Sequence, residues 1–245
     1  MRAISLSMSP LPKIPPFSNR HARRNIRPSS RTRRGVRTLG VVLLLAWLVL
    51  FIFHLTKPLP AGVSIAGPIH PASGMEFLFD LTYQAEGESV SDQMIFDRVL
   101  SLIDEAEEFV VIDMFLFDGE HDGEEDYRPL SAELTDHLLA QKAGNPDLKA
   151  TFITDEINNF YGAYTGTEIA RLQAAGNRVI TTNMSRLRDS NPAYSAGWRM
   201  LVRWFGTGGP GWLRNPLNST GPKVTARSLL KLLNLKANHR KLIVT

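Results

Sequence analysis

Between Leu39 and Leu55 the chain reads LGVVLLLAWLVLFIFHL, apolar on every side except for His54. As a helix this run measures roughly 26 Å, near the minimum for a ~30 Å hydrocarbon core. Thr38 and Thr56 can extend it, and Arg37 and Lys57 can snorkel to the interfaces. A helix on a globular surface keeps a polar side, so the pattern predicts a transmembrane helix over 39–56. Residues 57–74, rich in Pro and Gly, read as an extended linker.

Beyond the linker the pattern changes period repeatedly. Met75–Tyr83 alternates like a strand, and Ser91–Glu107 spaces Met94, Ile95, Val99, Leu102 and Ile103 like an amphipathic helix. Phe109–Phe117 is a nearly continuous apolar run of strand length, as in a strand covered on both faces. A helix over Pro129–Ala143 follows, with Pro129 suited to its first turn and Gly144 to its end. A strand at Leu148–Thr154, a helix at Gly166–Ala175, a strand at Arg178–Thr182 and a last strand opening at Lys241–Thr245 complete the series. Such alternation predicts an α/β domain with a largely parallel sheet.

Charge divides along the same boundary. The chain's 245 residues carry a net +4, but residues 1–38 hold ten of the 28 Lys and Arg and no acid. The rest therefore carries 18 basic against 24 acidic groups, a net of −6. The basic excess belongs to a short Pro/Ser/Arg tail, expected to be disordered, and not to a nucleic-acid-binding body. Ten bases before the apolar run and only Lys57 close behind it place the N-terminus in the cytoplasm and the body outside, by the positive-inside rule. A cleaved signal peptide is the rival reading, but no clear small-x-small site follows the run. With no cysteine, disulfides, Cys-ligated zinc and thiol catalysis are excluded.

In parallel sheets chemistry gathers beyond the carboxyl ends of the strands, where Asp118, Asp155, Glu156 and Asn183 fall. At the other end of the domain stands Asn238-His239-Arg240-Lys241, opening the apolar KLIVT strand. In an extended chain His239 and Lys241 share one side while Arg240 points away. That pairing suits attack on a phosphodiester. A neutral imidazole is nucleophilic near neutral pH, and an adjacent ammonium can hold a phosphate oxygen as negative charge shifts.

On these residues the chain resembles the phospholipase D superfamily, whose signature is H-x-K-x(4)-D, over residues 75–245. The match is His239, Lys241 and the spacers Leu242–Thr245; the signature's Asp falls one residue beyond Thr245. The resemblance implies a first phospholipase D-like repeat truncated within its motif, with a mixed, largely parallel sheet flanked by helices. It implies a membrane-anchored phosphodiesterase or phosphatidyltransferase, cardiolipin synthase-like, acting on membrane phospholipids without a metal or other cofactor. His239 would be one of a catalytic histidine pair, usually the nucleophile, and Lys241 would bind phosphate. The second histidine comes from another half, in the same full-length chain or in a second copy, and without it this chain is expected to be inactive. The location implied is a bacterial-type inner membrane, single-pass, with the catalytic half periplasmic. Nucleic acid is not the expected partner. A superfamily nuclease and a membrane-tethered binding protein without activity are the alternatives.

Weaker candidates complete the reading. Asn158, Asn159 and Tyr161 lie in a loop after a strand, a common place for substrate contacts. Residues 184–214 mix Trp198, Trp204, Phe205 and Trp212 with Arg199, Arg203 and other arginines. They admit three readings: a membrane interface contacting lipid head groups, a stacking surface for single-stranded nucleic acid, or an insertion packing its tryptophans inward. Trp198, Arg199 and Arg203 are the substrate-contact candidates there. Asp118–Asp126 has partial calcium-loop spacing but Pro129 at the twelfth position, so a solvated acidic turn is expected. His121 and His137 have no evident metal partners, and Ser185 and Ser190 no recognisable Ser-His-Asp arrangement.

Overall fold

The computed structural model describes residues 30–63, 65–71, 73–119 and 127–245. Most of the basic tail and of the acidic turn therefore lies outside the described residues. The apolar run forms one long helix, α1 (Ser30–Thr56), about 40 Å at 1.5 Å per residue. This helix is long and apolar enough to cross a membrane. It begins at Ser30 and not at Leu39, so residues 30–38 are helical where a disordered tail was expected. Arginine is a good helix former, and Thr38 Oγ1 donates back to the Arg34 carbonyl at 3.0 Å.

The linker carries no strand or helix among its described residues. It ends in a hairpin, β1 (Asp80–Ala85) with β2 (Glu88–Gln93), joined through Glu86 (φ 54°) and Gly87 (φ 87°). Two left-handed residues make a turn that matches strand twist. The expected first strand starts five residues later than its pattern, and the expected helix loses its first turn to β2. Ser89, Ser91 and Asp92 gave β2 no apolar alternation to read.

The main sheet has four strands in the order β5-β4-β3-β6: β5 Arg178–Thr181, β4 Lys149–Thr154, β3 Phe109–Met114 and β6 Lys241–Val244. The first three are parallel, and β6 runs antiparallel beside β3, so the sheet is mixed. Helices α2 (Met94–Asp104), α3 (Leu130–Gly144) and α4 (Thr167–Ala174) cover one face. There Leu100, Ile103, Leu134, Leu138, Ile169 and Leu172 meet Val110, Ile112, Ala150 and Phe152 in one core. Two further helices, α5 (Pro192–Leu201) and α6 (Ala226–Leu232), belong to the long insertion between β5 and β6. On the other face of the sheet, Leu242 and Val244 are exposed and Val111, Ile153 and Ile180 only half-buried. Parallel strands are normally covered on both sides; this face is apolar and partly open.

Phe152 sits at the centre of the covered face with no exposed surface. Phe152→Ala is expected to cost about 3–5 kcal/mol, transfer plus cavity, read as a lowered denaturation midpoint of the detergent-solubilised chain.

Candidate functional site

The antiparallel register sets Lys241 opposite Met114, at the carboxyl end of β3. One residue earlier, the Phe115 amide donates to the Arg240 carbonyl at 3.1 Å, extending the ladder. Phe115 then serves both motif side chains: its ring lies 4.5 Å from the His239 ring, and the Lys241 ammonium sits 5.8 Å above it. Arg240 turns the other way and approaches Asp113 at 3.8 Å. The alternation expected from sequence is therefore visible in the packing. His239 and Lys241 are both exposed.

Two buried carboxylates fix the backbone that enters the motif. Asp155 Oδ2 accepts the Asn238 amide at 2.6 Å, and its Oδ1 accepts the Ile157 amide at 3.0 Å. Asp113 accepts the Asn238 side-chain amide at 2.8 Å. Asp113 was legible as the lone acid inside the apolar β3 run, and its role as an anchor for Asn238 was not.

Asn158 is buried and spends its side chain on the same region. Its Oδ1 accepts the Phe117 amide at 2.8 Å, while its Nδ2 donates to the Phe115 carbonyl at 2.8 Å and to Thr154 Oγ1 at 2.6 Å. It thus shapes the loop carrying Phe115. Asn159 Oδ1 accepts the Gly166 amide at 3.2 Å, closing the loop ahead of α4. Tyr161 goes elsewhere. Phe160 and Tyr161 are both left-handed, at φ 41° and 55°, a conformation costing roughly 1–2 kcal/mol per non-glycine residue. Gly162 (φ +90°) follows, and a Cβ there would stand 2.8 Å from Thr207 Oγ1. This unusual turn brings Tyr161 to the wall of a cleft.

That cleft, of about 260 Å³, collects Tyr161 with Trp198, Arg199 and Arg203, candidates far apart in sequence. Lys231, Lys236 and Glu156 join them. Lys231 pairs with Glu156 at 2.7 Å. Below the cleft Asp189, its side chain fully buried, receives both guanidinium nitrogens of Arg199, the second at 2.7 Å, and the Lys236 ammonium at 2.7 Å. Burial alone would raise the Asp189 carboxyl, but the hydrogen bonds and charges of Arg199 and Lys236 outweigh it and hold it below the ordinary carboxylate range. The Tyr161 hydroxyl is pushed up to about 12, first by burial and then by Asp155 and Glu156. The Trp198 indole N–H is buried without a hydrogen-bond partner among the described residues.

The same region holds the end of α1; everything from Leu44 onward is one compact unit. Trp47, Leu50, Phe51, His54 and Lys57 form a half-buried stripe at helical spacing. Trp47 Nε1 donates to the Ala193 carbonyl at 3.0 Å, the Asp189 amide to the His54 carbonyl at 3.1 Å, and Lys57 Nζ to the Ser185 carbonyl at 2.8 Å. Burial, then the charges of Lys236 and Arg199, lower Lys57 from its ordinary value. Trp204, Phe205 and Trp212 are about 70–80% exposed, so only Trp198 among the insertion's tryptophans packs inward. Ser185 donates its hydroxyl to Asn183 at 2.6 Å, and His137 pairs with Asp104 at 2.8 Å. Among the described residues no three His, Asp or Glu side chains gather as a metal site.

No protein-family model, no curated protein and no solved structure matches this chain.

Two stability predictions follow from these contacts. Asn158→Ala strands the Phe117 amide and Phe115 carbonyl and is expected to cost about 2–4 kcal/mol, measured by urea unfolding. Asp189→Asn leaves two buried cations poorly compensated, at about 3–5 kcal/mol. Because the Asp189 carboxyl is held low when folded, its contribution is complete above pH ~4 and is lost as pH falls through the folded value. An acid titration of the denaturation midpoint should show that loss in the wild type and a flatter profile in Asp189→Asn.

Proposed function

We propose that this chain is the first half of a membrane-anchored phospholipase D-like phosphodiesterase or phosphatidyltransferase, acting on phospholipids through a phosphohistidine. The observation that carries the reading is the joint packing of His239 and Lys241 against Phe115 at the carboxyl end of β3, with Arg240 turned away. An imidazole and an ammonium on one side of the chain are the groups that attack on phosphorus would use. A His239 ring nitrogen attacks, the phosphorus–nitrogen bond forms, and the bond to the leaving alkoxide breaks. The Lys241 ammonium holds a non-bridging oxygen as charge builds. A histidine from a second half protonates the leaving alcohol, then takes a proton from the water or alcohol that releases the phosphoryl group from His239. Asn238, pinned by Asp155 and Asp113, keeps the His239 backbone in place between the two steps.

A lipid substrate is favoured by α1 and by the exposed Trp204, Phe205 and Trp212, residues suited to a membrane interface. The charge asymmetry favours a cytoplasmic N-terminus and a periplasmic body. The partly open apolar face of the sheet offers a surface against which further structure, including a second half, could pack. Superfamily nuclease activity and an inactive tethered binding protein are the competing outcomes.

The test uses a chain extended through a second H-x-K motif, assayed on phosphatidylglycerol vesicles and on single-stranded DNA. Lipid turnover is expected, falling about 10³-fold or more in His239→Ala, as for loss of a nucleophile. Acid-quenched protein should carry phosphate on nitrogen in the wild type only. Cleavage of DNA alone, or lipid turnover unchanged in His239→Ala, rejects the reading.

A further inference from the structure

The cleft beside α5 is not used by His239 or Lys241, and its charge is unbalanced. Lys231 and Glu156 neutralise one another across it. Asp189 neutralises only one of its two buried partners, Arg199 and Lys236. Arg203 adds a further positive charge on the wall, with no carboxylate within ion-pair distance among the described residues. Asp155, whose charge reaches Tyr161, and Lys57, beside Lys236, offset one another, so the surplus is about two positive charges around a cavity of about 260 Å³ whose wall includes a single carboxylate, Glu156. Trp198, whose buried indole N–H has no partner among the described residues, and Tyr161, held by its left-handed backbone, line the same space.

Low-dielectric walls with one sign of charge focus field and concentrate counter-ions. Arginine is suited to two-point binding of phosphate oxygens. The volume has room for a glycerophosphate-sized group. Trp204 and Phe205, exposed between Arg203 and Gly206 of the wall, set this cleft beside a surface fit for a bilayer interface.

We propose that the cleft is a phosphate-binding site distinct from the His239/Lys241 pair, taking a phosphate ester on the Arg203 guanidinium and the Tyr161 hydroxyl, within the field of Arg199 and Lys236. The ligand is a phospholipid head group or a free phosphate. The site stands independently of catalysis at His239.

The experiment places the 245-residue chain in dodecyl maltoside micelles, which carry no phosphate, and follows the four tryptophan indole N–H resonances by NMR, with Trp198→Phe identifying that of Trp198. Inorganic phosphate is titrated in one arm. In a second, phosphatidylglycerol is titrated into the micelles, and in a third a single-stranded oligonucleotide is added. A saturable shift of the Trp198 resonance is expected with phosphate, with phosphatidylglycerol or with both. A response to lipid alone assigns a head-group site, and a response to phosphate alone assigns a soluble ligand. Arg203→Ala, a change at an exposed residue, should weaken the response about tenfold or more, the loss of a charge-assisted contact, while His239→Ala leaves it unchanged. The proposal is overturned by no shift with either probe, by an undiminished response in Arg203→Ala, by a response lost in His239→Ala, or by a response to the oligonucleotide only.

Discussion

The buried carboxylate of Asp189 is the constraint around which the insertion and the segments that meet it are arranged. An ionised group without exposed surface is tolerated only when paired and hydrogen-bonded. Asp189 draws its partners from three stretches of chain: Arg199 from α5, Lys236 from the approach to the His239 motif, and, through its own amide, the His54 carbonyl at the end of α1. Lys236 in turn donates to the Leu187 carbonyl at 2.8 Å. The Asp189 carboxylate thus ties the insertion to the segment leading into β6, and its backbone amide ties both to the end of α1. Pairing one carboxylate with two cations also leaves the positive surplus that marks the cleft.

The two candidate sites draw on adjacent residues of one loop. Asp155 holds the Asn238 amide that leads into His239, while its neighbour Glu156 reaches into the cleft to meet Lys231. The loop carrying both begins where β4 ends, at the carboxyl end of the parallel strands, the usual location of chemistry in such sheets. Strain is concentrated in the same loop, at Phe160 and Tyr161. Left-handed non-glycine residues persist only where the surroundings over-determine them, and here Gly162 against Thr207 and the burial of both rings do so.

Long periodic segments were readable because their signal is local. The apolar run of α1, the β3 run, and the strands and helices from Leu130 to Thr181 follow from residues that bury one face at fixed spacing. The β1–β2 hairpin escaped because Glu86-Gly87 is a weaker turn signal than Asn-Gly and β2 has no apolar alternation. Helix α6 escaped because a seven-residue helix shows barely two turns of pattern. At the motif, His-x-Lys spacing already implied a common side for His239 and Lys241, but not the Phe115 ring between them.

By itself the sequence determined one membrane-length helix, an α/β order of elements, a basic N-terminal stretch before an acidic body, and a two-residue spacing that suits phosphodiester attack. These are properties of neighbours along the chain, decided by periodicity and charge. Only the tertiary structure decided that β6 lies antiparallel beside β3, that Asp113 and Asp155 grip Asn238, and that Tyr161, Trp198, Arg199 and Arg203 surround one cleft. Those outcomes depend on buried charges finding partners tens of residues away, and no local pattern records which cation a buried carboxylate will choose.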